Sequence, residues 1–135
     1  MEEIVELIVH HSASPLTTTL GDIEEWHREK GWDGCGYHYV IEMHGGIRVG
    51  RSLPKVGAHA RPNTGRIGIC LVGDNTDEFE KWTHAQVESL LRLYLSLRVV
   101  WPGLPVYGHR DVNAGTECPG VDVRAMLLGP SNMEE

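Results

Sequence analysis

Ile4-Val5-Glu6-Leu7-Ile8-Val9-His10-His11-Ser12 is the stretch from which the fold is read. Ile4 to His10 is rich in β-branched residues, which favours an extended, buried strand. It ends on polar, potentially metal-binding side chains. In an α/β sheet, chemistry gathers where a strand ends and a loop begins. A buried strand needs neighbours, and the rest of the chain supplies them. Tyr37 to Met43 reads as a second strand. His44-Gly45-Gly46 turns it into a hairpin partner over Ile47 to Gly50. Ile67 to Val72 reads as another buried strand, and Pro105 to Tyr107 as a short one.

Helices fall between these strands. Thr19 and Asp22 have capping-box spacing and predict a helix through Ile23 to Arg28, stopped by Gly31. Thr83 and Gln86 make a second box, for a helix over 84–99 with Val87, Leu90, Leu91, Tyr94 and Leu95 on one apolar face. Asp122 caps a last helix to about Leu128. Residues 52–66 carry Pro54, Gly57, Pro62 and Gly65 and form a long loop, a length often linked to function. The order β-α-β-β-β-α-β-α predicts an α/β fold: one central mixed sheet flanked by helices, with the chemistry at strand ends.

The 135 residues suit one domain. It is expected to span 1–135, with a core at about 4–128 and a frayed tail at 129–135. A 41% hydrophobic content supplies a packed interior. A net charge of -7 argues against nucleic acid as a partner, because phosphates call for a basic face. The three cysteines, Cys35, Cys70 and Cys118, lack a framework spacing, so no disulfide and a reducing compartment are expected. The acidic start Met1-Glu2-Glu3 predicts synthesis without a signal peptide, and no apolar run is long enough to insert in a membrane.

Late in the chain, Gly108-His109-Arg110-Asp111 is followed by Cys118-Pro119-Gly120. One imidazole from the His10-His11 pair, with His109 and Cys118, would give three protein ligands and leave a fourth position open. A catalytic zinc uses that arrangement. His10, at the strand end, fits the role. Neighbours on a strand face opposite ways, so His11 is expected to be structural or supporting. His38, Cys35 and Cys70 read as buried scaffold. His27, His44 and His84 are assigned no chemistry. Asp111 could orient a ligand imidazole or cap the loop backbone.

These segments carry a resemblance. Residues 8–14 (Ile-Val-His-His-Ser-Ala-Ser), 26–32 (Trp-His-Arg-Glu-Lys-Gly-Trp) and 36–39 (Gly-Tyr-His-Tyr) are similar to the type-two, zinc-dependent N-acetylmuramoyl-L-alanine amidases. So are Val56 to Ala60, Ile67 to Gly73, and Gly108 to Gly120. The likeness runs in order over residues 4 to 125. That family includes short phage enzymes, bacterial recycling amidases and the peptidoglycan recognition proteins.

The resemblance implies one Zn²⁺ per chain on His10, His109 and Cys118. It implies Tyr37 as the catalytic tyrosine, and Thr116 where the phage enzymes carry lysine, as the second catalytic position. Recognition-only relatives lose the cysteine ligand; Cys118 is retained, which points to an active enzyme. The loop residues His59, Arg61, Asn63 and Arg66 are expected to contact substrate. The implied activity is hydrolysis of the amide between N-acetylmuramic acid and L-alanine in peptidoglycan, as a phage or prophage endolysin. The alternatives are a recycling amidase acting on soluble anhydro-muropeptides and a non-catalytic muropeptide-binding module. The expected endolysin is a monomer, made in the bacterial cytoplasm and released to the wall by another protein.

Overall fold

The computed structural model describes residues 3–53, 56–60 and 62–129. β1 (Glu6–His11) and β4 (Arg66–Leu71) form the centre of a five-stranded sheet. β2 (Tyr39–Ile41), β3 (Ile47–Val49) and β5 (Val106–Gly108) complete it, in the spatial order β3-β2-β4-β1-β5. β1 pairs in parallel with both β4 and β5, β2 in parallel with β4, and only β2–β3 is antiparallel. The register sets His10 opposite Cys70 and Val9 opposite Gly108. The end of β1 therefore meets the point where β5 gives way to the segment carrying His109.

Strand alternation divides the interior in two. Leu7, Val9, Ile67, Ile69 and Leu71 face α2 (His84–Val100) and pack with its Leu90, Tyr94 and Leu97. Cys70 and Val72 face the other way, with Val40 and Ile23 of α1 (Leu20–Glu29). His10 shares a face with its register partner Cys70, so it projects on the α1 side of the sheet. His11 projects on the opposite side, where its Nδ1 accepts from the Asn75 backbone N–H at 3.2 Å.

Both capping boxes form as read, Thr19 with Asp22 and Thr83 with Gln86. The inward face of α2 is rotated from the expected one. Leu91 and Leu95 are exposed, while Gln86 and Ser89 are buried. The cause is hydrogen bonding. Gln86 Nε2 donates to the carbonyls of Ile41 and Val72 at 3.1 and 2.7 Å, and Ser89 donates to the Gly45 carbonyl at 2.6 Å. These two polar side chains tie the helix to the strand ends and displace leucines from the core. The second strand is shorter than predicted, although His38 N–H already bonds the Gly68 carbonyl.

Two further helices follow β5: α3 (His109–Val112), where a loop was expected, and α4 (Val123–Leu128), capped by Asp122 as read. The tail from 130 onward lies outside the described residues. No described helix is long and apolar enough to cross a membrane.

Candidate active site

His10, next to last in β1, is 2% exposed. His109 begins α3, directly after β5, and Cys118 sits on the loop beyond that helix. One nitrogen from each histidine and Sγ of Cys118 all lie within 4.8 Å of one another. His10 Nδ1 stands 3.8 Å from Cys118 Sγ, and the two imidazole centroids are 4.5 Å apart. Among the described residues this is the only group of His, Cys, Asp and Glu so gathered.

Hydrogen bonds reveal which edge of each ring is spare. His109 Nε2 lies 2.7 Å from Asn113 Oδ1, whose own Nδ2 donates to the Val112 carbonyl. That oxygen can only accept, so His109 Nε2 carries the proton and Nδ1 is left with its lone pair. His10 Nε2 is engaged by His59 Nδ1 at 3.0 Å, so Nδ1 is again the edge turned to Cys118. Cys118 Sγ receives the His11 backbone N–H at 3.3 Å. Two imidazole nitrogens and one sulfur fit a zinc ion in number and in chemistry.

Burial pushes the Cys118 thiol up to about 11, against the opposing pull of the His11 N–H. Burial and the neighbouring histidines His59, His109 and His11 hold His10 well below the usual imidazole range. His109 is also lowered, by burial first. Each shift favours neutral groups in the metal-free protein.

A cleft of about 770 Å³ opens on this group. Tyr37, Thr116, His59 and Asn63 line it along with the three candidate ligands. Tyr37 lies with its ring centroid 5.1 Å from that of His10. Burial first, with the neighbouring cysteines Cys70, Cys118 and Cys35 acting in the same direction, raises the phenol well above its normal range, so it stays protonated and able to donate. Thr116 Oγ1 accepts the Cys118 backbone N–H at 3.2 Å, which fixes the turn carrying the sulfur. Asn63 Oδ1 accepts the backbone N–H groups of His59 and Ala60, both at 2.8 Å.

Arg66 stands elsewhere. Its guanidinium bonds Glu6 at 2.8 Å and the Pro62 carbonyl at 3.1 Å, outside the cleft lining. Arg61 lies outside the described residues. Asp111 takes the capping option, accepting the Gly108 N–H at 2.8 Å, and the side chain that bonds the His109 ring is Asn113.

The sequence reading missed His27. It follows Ile23 by one helical turn on the inward face of α1, and its Nδ1 accepts the Gly36 N–H at 2.8 Å. With Lys30 and Trp32 it forms the cleft wall on the α1 side. Burial, with Lys30 and Arg51 nearby, depresses its pKa to about 4. The available signal was an imidazole on the apolar stripe Leu20–Ile23–His27.

Comparison with known proteins agrees with this geometry. A family model described as N-acetylmuramoyl-L-alanine amidase matches residues 2–121. The chain belongs to the N-acetylmuramoyl-L-alanine amidase family. The endolysin of Escherichia phage T7 is 36% identical over 124 residues, spanning 87% of this chain and 82% of the phage protein. Peptidoglycan-recognition protein SC1a of Drosophila melanogaster is 32% identical, spanning 93% of this chain and 72% of its own length. Among solved structures, the N-acetylmuramoyl-L-alanine amidase LysC from Clostridium intestinale URNW superposes with a TM-score of 0.82 at 32% identity. That match covers 93% of this chain and 86% of LysC. This amidase therefore shares both sequence and fold with phage and bacterial enzymes and with the recognition proteins.

Proposed function

We propose that this amidase acts as an endolysin, hydrolysing the amide between N-acetylmuramic acid and L-alanine with one zinc held by His10, His109 and Cys118. The observation that carries the reading is the convergence of one nitrogen from each of two histidines and one sulfur on the wall of a cleft that also presents Tyr37. A zinc bound there would polarise an amide carbonyl and acidify water, lowering its pKa from about 15.7 towards roughly 7.

The chain's own residues supply the rest. In this reading the lactyl carbonyl lies between Tyr37 and the ligand group, which line the same cleft. As water adds to the carbonyl carbon, charge develops on its oxygen, and the protonated Tyr37 hydroxyl donates a hydrogen bond to it. The carbon–nitrogen bond then breaks, and the proton given up by the water passes to the L-alanine nitrogen. The Tyr37 and Thr116 hydroxyls, both on the cleft wall, would relay that proton, each ending protonated as it began. His59 and Asn63 shape the loop side of the cleft, where the stem peptide would lie. Arg61, outside the described residues, is kept as a substrate contact on its sequence alone. For the endolysin role, the chain is synthesised in the bacterial cytoplasm as a monomer and reaches the wall through a separate release protein.

The test is direct. Purified sacculi are incubated with zinc-loaded protein, and new L-alanine amino termini are counted alongside bound metal. Stoichiometric zinc with release of L-alanine termini is expected. Release of no such termini from sacculi would sink the proposal, and cleavage of soluble anhydro-muropeptide alone would move the protein to a recycling role.

A further inference from the structure

His59 sits behind His10, and its contacts form a one-way chain. Its Nε2 lies 3.1 Å from the Arg66 carbonyl oxygen. A carbonyl only accepts, so Nε2 of His59 donates and its Nδ1, in the neutral ring, holds a lone pair. That lone pair faces His10 Nε2 at 3.0 Å. His10 must then carry its proton on Nε2, which leaves Nδ1 directed at Cys118.

We propose that His59 is a positioning residue for His10: it relays the acceptor character of the Arg66 carbonyl and so fixes the His10 tautomer and ring orientation that present Nδ1 to a metal. This deepens the zinc reading above and rests on it.

The surroundings of His59 are built to hold the ring in place. A Cβ at Gly68 would fall 2.6–2.7 Å from three atoms of the His59 imidazole, and one at Gly57 would fall 2.5 Å from its Cδ2. Side chains at either position would evict the ring, so two glycines make the slot. Asn63 fixes the backbone at the same residue. The ring is thus set by β4 and its preceding loop, while the imidazole it orients belongs to β1.

A ring that merely fills space would be replaceable by leucine. A relay would not. In the metal-free protein, imidazole ¹⁵N chemical shifts should report protonation at Nε2 for both His10 and His59. His59→Leu should lower zinc affinity by ~10–100-fold, the range typical of lost outer partners of a metal-binding histidine. Affinity is read by chelator competition, with circular dichroism confirming the fold. His59→Gln offers an oxygen to His10 and an N–H to Arg66, and should recover most of the loss. Gly68→Ala should weaken zinc binding in the same direction as His59→Leu, although residue 68 is no ligand.

Folded His59→Leu with wild-type zinc affinity would overturn the proposal, as would ¹⁵N shifts placing the His10 proton on Nδ1. If His59→Leu does not fold, the wild-type spectrum and the Gln variant decide. Absence of zinc binding by the wild-type protein would instead defeat the functional reading, since the tautomer measurement needs no metal.

Discussion

His10 and His109 lie side by side, but they are held by opposite means. His10 is locked in the middle of a parallel sheet, and its far edge is engaged by a residue 49 positions away. His109 is half-buried at the start of a four-residue helix, and its far edge is engaged by Asn113, the residue that ends that helix. One ligand depends on the assembled fold and the other on a local turn. The outer partner of His10 cannot form until β1, β4 and the loop before β4 are in place. The outer partner of His109 comes with α3. Disturbing the first should reach further than disturbing the second.

The largest effect is expected where the two regions meet. Cys118 touches the β1 end through the His11 N–H and sits on the loop that follows the short helix of His109. Cys118→Ser replaces a thiolate with a poor zinc ligand, and should lose most metal and most activity. Metal analysis after dialysis checks this, and a serine variant with full zinc and full turnover would remove Cys118 from the ligand set.

Next comes Tyr37→Phe. It should keep zinc and stability but lose about 10²-fold in turnover, because a donor to the developing charge has gone. Unchanged kcat would make Tyr37 a packing residue.

Asn113→Ala sharpens the comparison itself. It removes the local acceptor from His109 and leaves the ring solvent-accessible on that side. Zinc affinity should fall by less than in His59→Leu, roughly severalfold and below the ~10–100-fold range for buried outer partners. Equal losses in the two variants would show that burial does not separate the two supports.

A fourth expectation concerns acid. His27 is buried with a pKa of about 4, below the unfolded value of about 6.5. The unfolded chain binds that proton first, so the contribution of neutral His27 is present above about pH 6.5 and is lost as pH falls towards 4. Urea unfolding of wild type and His27→Gln from pH 7 to 4.5 checks it. The wild type should lose stability faster, and parallel curves would remove His27 as a cause.

The smallest effect belongs to Arg66→Ala. Its ion pair with Glu6 is partly buried, so a stability loss of about 1 kcal/mol is expected, near the upper end for such pairs. Because the guanidinium lies outside the cleft, KM should stay within about twofold. A large rise in KM would return Arg66 to the substrate contacts expected from its loop position.

These cases also explain what could be read in advance. β1 was legible because a β-branched run buried on both faces has few alternatives, and His10 near its end came with it. The two capping boxes were legible because their partners are three residues apart. The candidate ligands were legible through a resemblance spread over most of the chain. What escaped depends on residues distant in sequence. Nothing in Val56-Gly57-Ala58-His59 states that this ring will reach His10. Gln86 and Ser89 displace Leu91 and Leu95 from the core only because carbonyls at Ile41, Val72 and Gly45 wait for them. Asp111 was weighed in two roles, and the short helix decided for the cap. Asn113, one turn from His109, was overlooked because that segment was read as a loop.

The contact between His10 and Cys118 spans 108 positions of chain. A metal bridging them would cross-link the unfolded polymer as well as serve the reaction. In the chain-entropy treatment, closing a loop of about 100 residues by a covalent link is worth about 4.7 kcal/mol. Much of a metal site's binding free energy likewise becomes folding free energy. The same three side chains would then act as a clasp joining the first strand to the last loop, and chelation would loosen the ends of the chain as it silences the cleft.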